Sequence, residues 1–266
     1  MRVVFFGSPA FAVPTLRALA ADPAFEAPLV VTQAARGTSP VERAANELGL
    51  RVYKPDTLRS AASREPLVSA RADLFVVAAF GLIFRQATLE IPRLGCVNVH
   101  PSLLPRFRGA SPIVAAIAEG DRETGVCLMT MDTGMDTGAV ISREIVRIAD
   151  DDTTESLGSR LAEIGAAQAV RDIPRWADGE LKAAPQATTG ASLTRPLTKA
   201  DGWIDWSRPA VEIERHVRAM WPWPRAWSIV DDAPIQVHRA QVVGDDISGL
   251  APGSVIPGKR RIVVAT

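Results

Sequence analysis

The chain has 266 residues, and thirty Lys plus Arg balance thirty Asp plus Glu to a formal charge of zero. Two domains of the usual ~100–200 residues are allowed, and neutrality excludes holding a nucleic acid or acidic membrane by net charge, leaving only local patches. Hydrophobic residues at 47% with 23% charged exclude a mainly disordered chain, and two cysteines, Cys96 and Cys127, are too few for a disulfide scaffold or a four-cysteine zinc site.

Arg2 to Phe6 reads as a first strand that enters the turn Phe6-Gly7-Ser8-Pro9-Ala10-Phe11-Ala12. No long apolar h-region follows Met1 and no run reaches the ~18 apolar residues of a membrane span, so a cytoplasmic protein without membrane contact is expected. The turn lacks the second and third glycines of a dinucleotide fingerprint, and the second strand, Ala27 to Thr32, ends in Thr32-Gln33 without the acidic residue that binds a ribose hydroxyl. An NAD-dependent reaction is therefore disfavoured. Ser39-Pro40-Val41-Glu42 forms a capping box, and Val41, Ala44, Ala45 and Leu48 follow helical spacing to a stop at Gly49. Strands follow at Asp73 to Phe80 and Cys96 to His100. Ser111-Pro112 and Gly120 bracket a second helix, and Thr153 or Thr154 opens a longer one that Pro174 ends or kinks.

Alternation of strands and helices predicts an α/β domain over residues 1–178, a Rossmann-like, open, mostly parallel sheet with helices on both faces. Residues 179–200 collect Pro185, Gly190 and Pro196 without periodicity and read as a linker. In residues 201–266 the five tryptophans Trp203, Trp206, Trp221, Trp223 and Trp227 suggest a small core anchored by aromatics. A helix at about Ala210 to Met220 and strands at Ala226 to Val230, Ile235 to Val243 and Arg261 to Ala265 predict a small C-terminal β-barrel, OB-like in type.

Two motifs carry chemistry. On the strand Cys96-Val97-Asn98-Val99-His100, alternation places Cys96, Asn98 and His100 on one face, and Pro101 ends the ladder directly afterwards. An amide and an imidazole at the C-terminal end of an α/β strand stand where such sheets bind ligands, although a single histidine there can equally be structural. Asp132-Thr133-Gly134-Met135-Asp136-Thr137-Gly138 repeats Asp-Thr-Gly on one loop. Aspartic-protease chemistry needs its two carboxylates from two separate lobes, so the pattern means either a tight loop with one Asp free to point inward or two Asx-turns.

The run Asn98-Val99-His100-Pro101-Ser102-Leu103-Leu104-Pro105-Arg106-Phe107-Arg108-Gly109-Ala110-Ser111-Pro112-Ile113, followed by Met135-Asp136-Thr137-Gly138, resembles the folate-dependent formyltransferase superfamily. Val31-Thr32-Gln33, Ala79-Phe80-Gly81-Leu82-Ile83, Asp201-Gly202-Trp203-Ile204-Asp205-Trp206 and Trp221-Pro222-Trp223-Pro224 extend the resemblance along the chain, closest to the tRNA-formylating branch. It implies transfer of a formyl group from 10-formyltetrahydrofolate to the α-amino group of methionine on initiator methionyl-tRNA, with no metal, by a protein expected to be a monomer. Asn98, His100 and Asp136 occupy the family's catalytic positions. Ser102, Leu103, Leu104 and Pro105 match its folate-lining segment, with Phe80, Gly81 and Leu82 toward the pterin.

Two departures bear on the tRNA. Ala34-Ala35-Arg36-Gly37-Thr38 is shorter than the family's basic loop after the second strand, so Arg36 is either its remnant toward tRNA or part of a solvated turn. The chain also stops at Thr266, early for the family's full barrel. Residues 191–266 hold ten basic and eight acidic residues, a slight positive balance for a tRNA-assisting module. A sugar-nucleotide N-formyltransferase using the same folate donor is the alternative enzyme, and a non-catalytic RNA-binding or folate-sensing protein the alternative class.

Overall fold

The computed structural model describes residues 1–34, 37–244, 249–257 and 262–266. Among these the chain divides into two compact units, Met1–Gly109 with Thr124–Arg147 and Gly158–Leu193, and Ala110–Glu123 with Ile148–Leu157 and Thr194–Thr266. The expected catalytic segment 1–178 thus contributes to both.

In chain order the strands of the first half are β1 Arg2–Gly7, β2 Glu26–Val31, β3 Val52–Tyr53, β4 Leu74–Ala78, β5 Cys96–His100, β6 Arg108–Gly109, β7 Glu123–Thr130 and β8 Val140–Arg147. Seven of them form one sheet, ordered β3-β2-β1-β4-β5-β7-β8. The pairs β1 with β2, β1 with β4, β2 with β3 and β4 with β5 are parallel, whereas β5 and β7 are antiparallel. Val3, Val4, Phe5 and Phe6 on β1 and Phe75 and Val76 on β4 are all fully buried, which is why these strands read as continuous apolar runs. The mostly parallel α/β architecture is as expected, Cys127 lies on β7 in an apolar run that reads as a strand, and β8 adds a strand where none was predicted.

The helices are α1 Val13–Ala21, α2 Pro40–Glu47, α3 Ala61–Ser69, α4 Gln86–Leu89, α5 Pro112–Ala118, α6 Thr154–Ala177 and α7 Ala210–Ala219. At α2 the Ser39 hydroxyl accepts the Glu42 N–H at 3.0 Å, as a cap should. The reciprocal half of the box is not made, because Glu42 Oε1 instead accepts from Lys54 Nζ at 2.8 Å. Ser111 likewise does not cap α5; its hydroxyl donates to the Arg195 carbonyl at 2.9 Å. Pro174 does not end α6: its fixed φ suits a helix, and the Asp178 N–H reaches the Pro174 carbonyl at 2.9 Å beyond it. Gly165 lets α6 lie close on the sheet, since a Cβ there would meet Val99 Cγ1 at 2.7 Å and Val126 Cγ1 at 3.2 Å. The strand carrying Asn98 and His100 is thereby packed firmly from behind.

In the second unit α5 packs against α7. Trp203 and Trp227 meet edge to face with ring centres 4.9 Å apart, and Trp206 Nε1 donates to the Ser228 hydroxyl at 2.9 Å. The expected tryptophan core is not formed: Trp203 and Trp223 are exposed, at 44% and 55%, Trp206, Trp221 and Trp227 are only partly buried, and the buried side chains of this unit include Ile204, Ile213, Val217 and Met220. The strands β9 Leu193–Thr194, β10 Ala226–Val230, β11 Ala233–Val237, β12 Val255–Pro257 and β13 Ile262–Val264 complete the chain. β10 pairs antiparallel with β11 and β12 with β13. The predicted strand from Ile235 to Val243 runs instead from Ala233 to Val237, and β12 lies where no strand was predicted. Among the described residues no helix is long and apolar enough to cross a membrane.

Candidate active site

β5 delivers the first two groups. Its last residues pair with β7, Asn98 opposite Met129 and His100 opposite Cys127, so both polar side chains stand where the parallel part of the sheet meets its antiparallel edge. His100 is 4% exposed. Its Nε2 lies 3.1 Å from the Phe107 carbonyl oxygen, which can only accept, so the neutral ring carries its proton on Nε2 and leaves Nδ1 as a lone pair. Burial pushes the imidazole pKa down, opposed by the Asp136 charge and by the Phe107 carbonyl. The resting base is therefore neutral and already supplied with two groups that favour its protonated form.

Asp136 sits in the left-handed region at φ +51°. Its Oδ2 accepts the Gly109 N–H at 2.7 Å and lies 3.7 Å from His100 Nδ1, while Oδ1 accepts from Asn98 Nδ2 at the longer distance of 3.4 Å. The two Asp-Thr-Gly triplets thus separate by role. Asp132 Oδ1 accepts the Gly134 N–H at 2.9 Å and the Thr137 hydroxyl at 2.6 Å, an Asx-turn that shapes the loop. Asp136 faces inward.

A third strand of chain completes the frame. Ala184 bridges to Val140, and the Gln186 Nε2 donates to the carbonyls of Asp136 at 2.7 Å and Gly138 at 2.8 Å. The Ser192 hydroxyl accepts the Phe107 N–H at 2.8 Å, and its carbonyl accepts the Arg108 N–H at 2.9 Å. Arg108, Met135, Thr137, Ala191, Ser192 and Leu193 line a groove of about 430 Å³ beside Asp136, within the range of small-molecule sites. The segment expected to be a plain linker is part of the site.

The residues expected to line a folate site divide by burial. The Ser102 hydroxyl is buried and donates to the Arg106 carbonyl at 2.7 Å, and Leu104 is in a core cluster with Cys127, Met129 and Val140. Both side chains are buried, Leu104 against the strand residues paired with Asn98 and His100, whereas Leu103 and Pro105 are partly exposed. Phe80 and Leu82 are partly exposed on the rim of a second cluster, with Phe80 edge to face on Phe6 at 5.4 Å. Gly81 is exposed and close to Gln33, whose side chain a Cβ would meet at 2.6 Å. Arg36 lies outside the described residues. Neither cysteine offers a thiolate: burial pushes the Cys96 thiol up to about 12 and raises Cys127 as well.

Residues 1–173 match the family model described as formyl transferase, and residues 196–266 match formyl transferase, C-terminal domain. The chain belongs to the formyl transferase family. Among similar proteins, the methionyl-tRNA formyltransferase of Roseiflexus sp. (strain RS-1) is 43% identical over 274 residues, covering 100% of this chain and 84% of that protein. The methionyl-tRNA formyltransferase of Neisseria meningitidis serogroup C (strain 053442) is 44% identical over 272 residues, covering 96% of this chain and 88% of its own. In fold, this formyl transferase is similar to an N-formyltransferase from Helicobacter canadensis solved with folinic acid and dTDP-3-aminofucose, with a TM-score of 0.74 at 18% identity, covering 99% of this chain and 94% of that one.

In this formyl transferase Asn98, His100 and Asp136, separate in sequence, lie together in space, and the residues that hold them carry no sequence signal. Gln186 and Ser192 lie in a stretch without helical or strand periodicity, where nothing local distinguishes a residue reaching back across the site from one in solvent. The Phe107 carbonyl is a backbone acceptor and has no side-chain signature at all.

Proposed function

We propose that this formyl transferase moves the formyl group of 10-formyltetrahydrofolate onto the α-amino group of methionine esterified to initiator tRNA, in the cytoplasm and at the start of translation. The observation that carries this reading is identity of 43–44% to methionyl-tRNA formyltransferases over nearly the whole chain. Solved sugar N-formyltransferases stand at 16–20%.

The α-amine, with an ordinary pKa of about 7.7–8.0, is partly neutral at cytosolic pH and attacks the formyl carbon. Negative charge develops on the formyl oxygen, and the Asn98 amide, which has two N–H groups and gives one toward Asp136, can direct the other to it. His100 Nδ1 takes the proton the amine sheds. The imidazolium so formed is held between the Phe107 carbonyl and the Asp136 carboxylate. The bond from the formyl carbon to folate N10 then breaks, and the proton passes to that nitrogen, leaving tetrahydrofolate and the formylated amine. Leu103, Pro105, Phe80 and Leu82 supply apolar surface for the folate, with Gly81 and the backbone of Ser102 and Leu104 between them. Among the described residues no group of three or more His, Cys, Asp or Glu side chains is placed to hold a metal ion. Residues 201–266 serve as a tRNA-assisting domain.

The test is incubation with 10-formyltetrahydrofolate and either methionyl-tRNA or an amino-sugar nucleotide. Formyl-methionyl-tRNA is the expected product; formylation of the sugar nucleotide alone would replace this reading with the alternative one.

A further inference from the structure

Gln186 makes more contacts to the site's frame than any local pattern foretells. Its Nε2 spends both N–H groups on the carbonyls of Asp136 and Gly138, at 2.7 and 2.8 Å. Its Oε1 accepts from Arg108 twice, Nε at 3.0 Å and Nη2 at 2.7 Å. A carboxamide has two donors and one oxygen with two lone pairs, and here all are used. One of the two loops it joins carries Asp136, and the other carries the backbone groups that hold His100 and Asp136. Arg108 adjoins Phe107, whose carbonyl fixes the His100 proton, and Gly109, whose N–H holds Asp136 Oδ2. Asp136 sits at φ +51°, a left-handed conformation that Asp adopts more readily than most non-glycine residues.

We propose that Gln186 is a positioning residue for formyl transfer, locking the Asp136 loop to the Phe107–Gly109 loop so that the Asp136 carboxylate faces His100 Nδ1. The proposal rests on the reading of His100 and Asp136 as the proton-handling pair. The amide is required as such: Glu keeps the acceptor for Arg108 but replaces two donors by a carboxylate oxygen facing two carbonyls, Met fills the space with no hydrogen bond, and Asn is one methylene too short to reach both loops.

The test uses the full chain, steady-state kinetics of formyl transfer to methionyl-tRNA, and the variants Gln186→Met and Gln186→Glu. Gln186→Met loses all four hydrogen bonds and Gln186→Glu the two donated to the Asp136 and Gly138 carbonyls; the loss of those two, common to both, displaces the carboxylate and should lower kcat about 10- to 100-fold, with KM for each substrate changed less than about threefold. A residue that only supports the fold would lower the melting temperature without this split. The decisive arm repeats Gln186→Glu in an Asp136→Asn background under single-turnover conditions. If Gln186 acts through Asp136, its replacement there costs less than about twofold, whereas a full multiplicative loss overturns the proposal. Should Gln186→Met not fold, Gln186→Glu carries both arms. Near-wild-type kcat in Gln186→Glu also overturns it. An inactive wild-type enzyme would refute the formyl-transfer reading itself, a result separate from either of these.

Discussion

Replacing Asp136 by Asn isolates the charge that faces His100 from the shape of the loop. The carboxylate lies 3.7 Å from Nδ1, with the imidazole side chain 5% and the aspartate side chain 20% exposed. At that separation and an effective dielectric of ~20, a charge pair is worth about 4 kcal/mol, or ~10³-fold in rate. The pair exists only after His100 has taken a proton, because burial keeps the resting ring neutral. The loss therefore falls on the transition state and not on substrate binding, so kcat should drop by ~10³ while KM for folate and tRNA stays within a few-fold. Asn tolerates the left-handed backbone at this position, and its Oδ1 can still accept the Gly109 N–H, so the melting temperature should hardly move. Initial rates of formyl-methionyl-tRNA formation, with both substrates varied, measure all of this. A loss of kcat under about tenfold, or a rise in KM that accounts for the defect, refutes the assignment of Asp136 as the partner of a developing imidazolium.

Gly138→Ala places a Cβ 1.8 Å from the Thr130 carbonyl oxygen and 2.8 Å from its carbon, backbone that cannot rotate aside. Thermal unfolding should report destabilisation of about 1–3 kcal/mol, and turnover should fall about 10²-fold because the displaced segment carries Asp136; unchanged melting and turnover would remove this close approach from the account. A pH effect on stability follows from His216, whose pKa burial lowers, against raising contacts from the backbone of Gly202 and Trp203. With the native value below the ordinary ~6.5, the unfolded chain binds more protons as pH falls through 6.5, so the contribution is intact above that pH and lost below it, down to the native pKa. Denaturant unfolding of wild type and His216→Gln between about pH 7.5 and 5 should show a shallower acid loss in the variant, and equal slopes would rule His216 out as a source.

Where a fold signal lay in consecutive residues, the sequence sufficed to read it. Val3 to Phe6 and Leu74 to Ala78 are buried on both faces and so appear as unbroken apolar runs, and Ser39-Pro40 marks its helix start through a hydrogen bond that spans three residues. Signals that depended on a distant partner were misread. Glu42 leaves its capping box for Lys54, twelve residues away, and Ser111 gives its hydroxyl to Arg195, eighty-four residues away. Pro174 was expected to interrupt α6, yet a proline costs the helix one hydrogen bond and a steric adjustment, which a 24-residue helix packed through Leu157, Leu161, Ala166, Ala169 and Ile173 absorbs.

The paired Asp-Thr-Gly triplets show why the same limit applies to the site. Locally, Asp132 and Asp136 are indistinguishable: each precedes Thr-Gly on one short loop, and each could close an Asx-turn. Asp132 closes that turn, using Gly134 and Thr137 within five residues. What turns Asp136 to His100 comes from three places remote in sequence: the Gly109 N–H on its carboxylate, Asn98 beside it, and Gln186 on its own carbonyl. A loop reading could therefore count the carboxylates but not choose between them, whereas the resemblance to a family points to Asp136, the one that these long-range contacts turn toward His100. All three partners lie outside the loop, and Gln186 differs from the other two in gripping the loop's own backbone, through the carbonyls of Asp136 and Gly138.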